Sequence, residues 1–159
     1  MPNYKAHLAG GAATFILILA TINKLQITKI ATNQILLYLT FCLFGSVFPD
    51  IDTKSKIQKY LYLFLFLTII VTILFKNWIL LSLLSFIAFI PILVNHRGLT
   101  HKLWFIITIP FAIPILIFSY DRSLLIPAVT SYLFFVAGAI SHLILDFGFK
   151  RTFSFLFKT

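Results

Sequence analysis

A chain of 159 residues that is 60% hydrophobic and only 11% charged cannot clothe a water-facing surface, because soluble domains carry about a quarter charged residues. The bilayer is its natural solvent, and its 19 phenylalanines suit lipid contact. The formal charge of +9 comes from 13 Lys and Arg against four acidic residues, all of them Asp; it fits loops facing an anionic leaflet, and no nucleic-acid partner is expected.

Six apolar runs follow in chain order. The first, Leu8–Ile22, comes after Lys5 and His7 in the manner of a signal peptide. It lacks a small-x-small cleavage site before Asn23 and reads as a retained span. The second, Ile30–Pro49, holds the single cysteine, Cys42, which excludes an internal disulfide and any cysteine-based metal motif. The third, Tyr60–Phe75, and the fourth, Trp78–Val94, are separated only by Lys76-Asn77, so their helices run antiparallel. The fifth, Leu103–Tyr120, contains Pro110 and Pro114, which predict a kink. The sixth is Leu124–Leu145. Several runs fall short of the ~20 residues of a straight crossing, and flanking Tyr, Trp and Lys extend them by snorkelling. No repeat, low-complexity tract or long linker divides the chain. The expected fold is all-α: a polytopic transmembrane helical bundle of about six spans, residues 1–159 forming a single integral-membrane domain.

Six crossings place Lys5, Lys54, Lys56, Lys59, Arg97, Lys102, Lys150, Arg151 and Lys158 on one face, and Lys24, Lys29, Lys76 and Arg122 on the other. The positive-inside rule then puts both termini in the cytoplasm. Setting aside Arg97 and Lys102, which stand among candidate site residues, leaves the sign unchanged.

The same face collects the polar chemistry. His7 opens the first span, and Asp50 and Asp52 close the second in Phe-Pro-Asp-Ile-Asp. His96 and His101 flank the fourth loop in Asn-His-Arg-Gly-Leu-Thr-His, and His142 and Asp146 end the sixth span. Only Asp121, beside Arg122, lies on the opposite face. His142 and Asp146 are four residues apart and project from one helix face, either as two ligands of one ion or as a ligand and its orienting partner. Asp50 and Asp52 after Pro49 suit a turn that aims both carboxylates one way; Asp52 or Thr53 capping the third helix is the plainer reading. Gly98 ends the fourth helix in this scheme and Thr100 caps the fifth, which lets His96 and His101 converge across a tight turn.

Neutral imidazole and carboxylate are ligands for zinc first, with manganese or iron as alternatives. His7, Asp50, Asp52, His96, His101, His142 and Asp146 exceed the needs of one tetrahedral ion. They suit two ions, or one ion with Asp52 left as general base. Arg97 and Lys102 are placed to neutralise a phosphate or an oxyanion. The plain alternatives are an interface histidine at His7, interhelical glue at His142, and topology markers at Arg97 and Lys102. The cluster Lys54, Lys56 and Lys59 reads as a solvated loop facing headgroups.

In Ala6-His7-Leu8, Phe48-Pro49-Asp50-Ile51-Asp52, His96-Arg97-Gly98-Leu99-Thr100-His101 and His142-Leu143-Ile144-Leu145-Asp146 the chain resembles the YdjM family of predicted membrane-bound metal-dependent hydrolases. The His-Arg-Gly-x-Thr-His block is the most specific of these, and the blocks run from residue 7 to residue 146. The resemblance implies the bacterial inner (cytoplasmic) membrane, a metal and hydrolysis, without naming a substrate. An early His, an Asp near residue 50 and a His-x-x-x-Asp are also loosely similar to zinc-dependent phospholipase C, from which this chain departs in length, in its spans and in its lack of Glu.

The expected function is a membrane-bound metal-dependent hydrolase acting on a lipid or phosphate-ester substrate at the cytoplasmic face, with membrane lipids as its surroundings. Two other classes stand beside it. A metal-ion transporter or carrier needs ionisable groups near the bilayer midplane, where this chain has none charged. A non-catalytic scaffold would use the polar cluster as glue and hold no metal.

Overall fold

The computed structural model describes residues 3–27, 30–52, 56–76, 100–149 and 152. They fall into two compact units, the first made of residues 1–49 and 101–159 and the second of Asp50–Thr100. The described residues are helical throughout, with turns between the helices and no strand among them.

Four helices build the first unit. The first, α1, is Tyr4–Lys24. Asn3 caps it, its side chain accepting from the Ala6 amide at 3.1 Å, and Lys24 in the last turn complements the helix dipole. Past Leu25, Gln26 adopts φ 50°. Its amide donates to Asn23 and that of Ile27 to Ile22, which is the Schellman pattern that satisfies the last carbonyls of a helix. Helix α2, Thr32–Val47, passes directly into the 3-10 turn Phe48–Asp52. In the second unit α3 spans Lys56–Leu74. Helix α4, Leu103–Tyr120, begins after Lys102 in the N-cap position and not after Thr100, because Thr100 and His101 form a turn. Helix α5, Leu125–Phe147, is entered through the short 3-10 turn Arg122–Leu124, which Asp121 caps by accepting from the Ser123 amide at 2.8 Å. Hydrogen bonding from the Ser123 side chain, and then from its amide, holds the Asp121 carboxyl below its ordinary range.

Apolar transfer adds little to helix association in a membrane, because lipid tails are as apolar as leucine; close packing and internal hydrogen bonds decide the arrangement. The central helix is α5, against which α1, α2 and α4 pack. Its buried residues Ser131, Phe134, Phe135, Gly138, Ala139, His142 and Leu143 form one helical stripe. The crossing with α2 is set by two glycines. A Cβ on Gly138 would run into the carbonyl of Cys42, and a Cβ on Gly45 into the carbonyl of Phe135. Around this crossing lie Phe15, Tyr38, Cys42 and Phe134, with Tyr38 stacked on Phe134. A second cluster, Leu103, Ile106, Ala139 and Leu143, joins α4 to α5.

Five hydroxyls within the helices are satisfied locally, as the bilayer demands. Thr21, Thr40, Thr108, Ser119 and Thr130 each donate to the carbonyl four residues earlier. Pro110 and Pro114 both lie inside α4. A proline disturbs the hydrogen bonds of the turn before it, and the Tyr132 hydroxyl of α5 donates to the carbonyl of Ile107 there at 2.9 Å.

By length and composition four described helices can cross a membrane: Tyr4–Lys24, Thr32–Asp50, Leu103–Tyr120 and Arg122–Phe147. These correspond to the first, second, fifth and sixth apolar runs. The third run lies within α3 apart from Phe75, and the fourth, Trp78–Val94, lies outside the described residues. The protein is thus a helical membrane bundle, and the count of about six spans rests on hydropathy alone.

Candidate metal centre

The start of α1, the end of α2, the start of α4 and the end of α5 meet at one end of the first unit, and the candidate site lies where they meet. His7 is in the first turn of α1, on the face that buries Gly11 and Phe15 one and two turns later. His142 and Asp146 continue the buried stripe of α5. His101 stands in the turn just before α4.

All three imidazoles face the Asp146 carboxylate. His7 Nε2 lies 3.5 Å from Oδ1, whereas His142 Nε2 and His101 Nε2 lie 3.4 and 3.9 Å from Oδ2. The side chains of His7, His142 and Asp146 are 1%, 0% and 2% exposed, and that of His101 is 10% exposed. Of the four side chains that of His101 is the most exposed, and its ring meets that of Phe147 edge to face.

The His142 tautomer follows from its surroundings. Its Nδ1 is 2.8 Å from the carbonyl oxygen of Ser46 in α2, an acceptor only, so Nδ1 carries the proton and donates. In the neutral ring Nε2 then bears a lone pair, and that lone pair faces a carboxylate oxygen. Two acceptors face to face in a buried site call for a cation between them. A charge-assisted N–H···O bond would measure ~2.7–2.9 Å, and the distances here are longer. Those of His142 and His7, 3.4 and 3.5 Å, lie close to the edge of a coordination tetrahedron instead, since bonds of ~2.0–2.1 Å set neighbouring ligand atoms ~3.3–3.4 Å apart, and that of His101 is longer. The ligand atoms of His101, His142 and Asp146 lie within 4.8 Å of one another. The buried His7 Nδ1 and Asp146 Oδ1 have no hydrogen-bond partner. Imidazole with carboxylate is a donor set that zinc, manganese and iron accept. The residues present fit a divalent ion.

Two pairings of rings complete the geometry. His101 and His142 are nearly perpendicular, at 67° with centroids 5.7 Å apart. His7 and His142 are stacked, at 19° and 3.8 Å.

Of the residues singled out in the sequence, the structure brings together His7, His101, His142 and Asp146. Asp50 and Asp52 sit in the 3-10 turn after α2 and open the second unit. Lys102 is exposed in the N-cap position of α4. His96 and Arg97 lie outside the described residues. Sequence reasoning missed the Ser46 carbonyl, since a main-chain oxygen leaves no mark on residue type. It also missed Thr152, whose hydroxyl donates to the carbonyls of Leu143 and Gly148 and closes the end of α5 beside the site. The pair Gly45 and Gly138 carried a readable signal, because small residues in apolar runs mark close helix crossings.

No curated protein and no solved structure matches this chain. A family model does: residues 1–157, nearly the whole length, match the YdjM inner membrane protein family, and the chain belongs to that family.

Proposed function

We propose that this protein is a metal-dependent hydrolase of the bacterial inner membrane, acting on a lipid or phosphate-ester substrate at the cytoplasmic face. The observation that carries the reading is the buried Asp146 carboxylate with the lone pair of His142 Nε2 facing it across 3.4 Å. When bound, a divalent ion supplies Lewis acidity toward a phosphoryl or acyl oxygen and activates water at neutral pH.

The chain supplies the rest. His101, His142 and Asp146 hold the ion. The Ser46 carbonyl accepts from Nδ1 and so holds His142 in the tautomer that leaves Nε2 without a proton, as carbonyl acceptors behind metal-binding histidines do. The burial of His7, His142 and Asp146 keeps bulk water from their side chains. Lys5 and Lys102 are exposed and stand two and one residues from site histidines, where positive charge favours an anionic headgroup. Arg97 joins them by sequence position. Asp50 and His96 as further ligands, and Asp52 as general base, are carried from the sequence pattern.

The test is turnover. Zinc-loaded protein in phospholipid nanodiscs is offered phosphatidate, lysophosphatidate and neutral lipid esters, with Asp146→Asn as control. Product release by the wild type, absent from the control, supports the reading. A protein with bound metal that releases nothing from any substrate class contradicts it, and zinc uptake into proteoliposomes would then favour a carrier.

A further inference from the structure

The arrangement of the rings around Asp146 excludes one shared ion for all three histidines. The lone pair of an imidazole nitrogen lies in the plane of the ring, so a bound ion lies in or near that plane. The planes of His101 and His142 cross at 67°, and a single ion can occupy both. The planes of His7 and His142 differ by only 19° and are one stack apart, with centroids at 3.8 Å. Planes so nearly parallel meet far beyond the reach of a ~2.1 Å metal–nitrogen bond. His7 and His142 therefore cannot both bind the same ion in plane.

The carboxylate divides in the same way. Oδ2 faces His142 and His101, at 3.4 and 3.9 Å, whereas Oδ1 faces His7 at 3.5 Å. His7 as a simple hydrogen-bonding support for Asp146 fits poorly, because 3.5 Å is long for an ionic hydrogen bond and the buried Oδ1 has no hydrogen-bond partner. The other His7 nitrogen, Nδ1, is also buried without one.

Resting on the metal-centre reading above, we propose that the site is binuclear: Asp146 bridges two divalent cations, one held through Oδ2 with His142 and His101, the other through Oδ1 with His7. Paired ions of this kind stand ~3.5–4 Å apart and clamp the attacking and leaving oxygens of a phosphoryl transfer. A phosphate ester is the substrate class such a pair serves best. The stacked rings keep the two ions apart, and the single carboxylate keeps them close.

The experiment is titration of the detergent-purified full chain with Mn(II), followed by equilibrium dialysis and by electron paramagnetic resonance. The wild type is expected to take up about two equivalents and to show the spin-coupled spectrum of a closely spaced pair. His7→Ala is expected to keep about one equivalent, with the six-line spectrum of isolated Mn(II). Saturation of the wild type at one equivalent, uncoupled, overturns the binuclear proposal and leaves a mononuclear hydrolase standing. No uptake at all overturns both. The wild-type measurement decides even if His7→Ala fails to fold, and His7→Gln keeps most of the side-chain volume as a second variant.

Discussion

His142 donates its Nδ1–H to the main-chain carbonyl of Ser46 at 2.8 Å, which ties the chemistry of α5 to the backbone of α2. Because the acceptor is main chain, a change of side chain at position 46 does not remove it. Only movement of α2 away from α5 does, and the spacing of those helices is set by Gly45 and Gly138.

Gly138→Ala is accordingly expected to harm both fold and site. The added methyl meets the Cys42 carbonyl, which cannot step aside as a flexible side chain would. Overpacking of this kind costs about 1–3 kcal/mol. Lengthening the His142–Ser46 bond should weaken metal affinity by about 10–100-fold, as loss of an outer-shell partner does. Ser46→Ala, which keeps the carbonyl, should leave affinity unchanged. Thermal melts in detergent and metal titrations check both; equal affinity in Gly138→Ala and wild type would separate the site from the helix crossing.

Tyr132→Phe removes the hydroxyl that donates to Ile107 above the prolines of α4 but keeps the ring packed on Phe111. Hydrogen bonds between membrane helices contribute about 0.6 kcal/mol on average, and with a carbonyl in a proline-disturbed turn left unsatisfied the loss should reach about 1–2 kcal/mol. An unchanged unfolding midpoint would mean that water or another donor takes over.

Gln26→Gly should stabilise the protein by about 0.5–1 kcal/mol, because glutamine at φ 50° bears a strain that glycine does not. The side chain is exposed, so nothing packed is lost. Chemical denaturation in mixed micelles reads the shift, and a destabilised variant would contradict the left-handed cap.

Removing the metal should lower the melting temperature. An ion that binds only the folded state stabilises it by RT ln(1 + [L]/Kd), about 4 kcal/mol at a thousand times Kd. Chelator should therefore lower the wild-type midpoint and leave that of Asp146→Asn where it was. Identical shifts in the two proteins would place the chelator's effect elsewhere.

Much of this was legible in the residues. The apolar runs located the four described helices long enough to cross, but not their ends. The run Leu8–Ile22 became Tyr4–Lys24 because Asn3 caps the helix upstream of its apolar part. The run Ile30–Pro49 gave way to a 3-10 turn after Val47. Hydropathy reads side chains, whereas helix ends are decided by main-chain hydrogen bonds. His7, His101, His142 and Asp146 stood out because ionisable groups are rare in such a chain. Their convergence was inferred from a count of six crossings. Within the first unit it holds without that count, since it follows from how α1, α2, α4 and α5 pack. The division of Asp146 between its two oxygens depends on ring orientation, which residue spacing does not encode.

The most direct measurement is the metal content of detergent-purified protein by elemental mass spectrometry, without chelator at any step, beside Asp146→Asn purified in parallel. A metal centre at Asp146 predicts one or more equivalents of a first-row transition metal in the wild type and none in the variant. Wild type and variant equally empty, with added zinc or manganese failing to bind either, would contradict it and leave the histidines and Asp146 as packing for the helix ends.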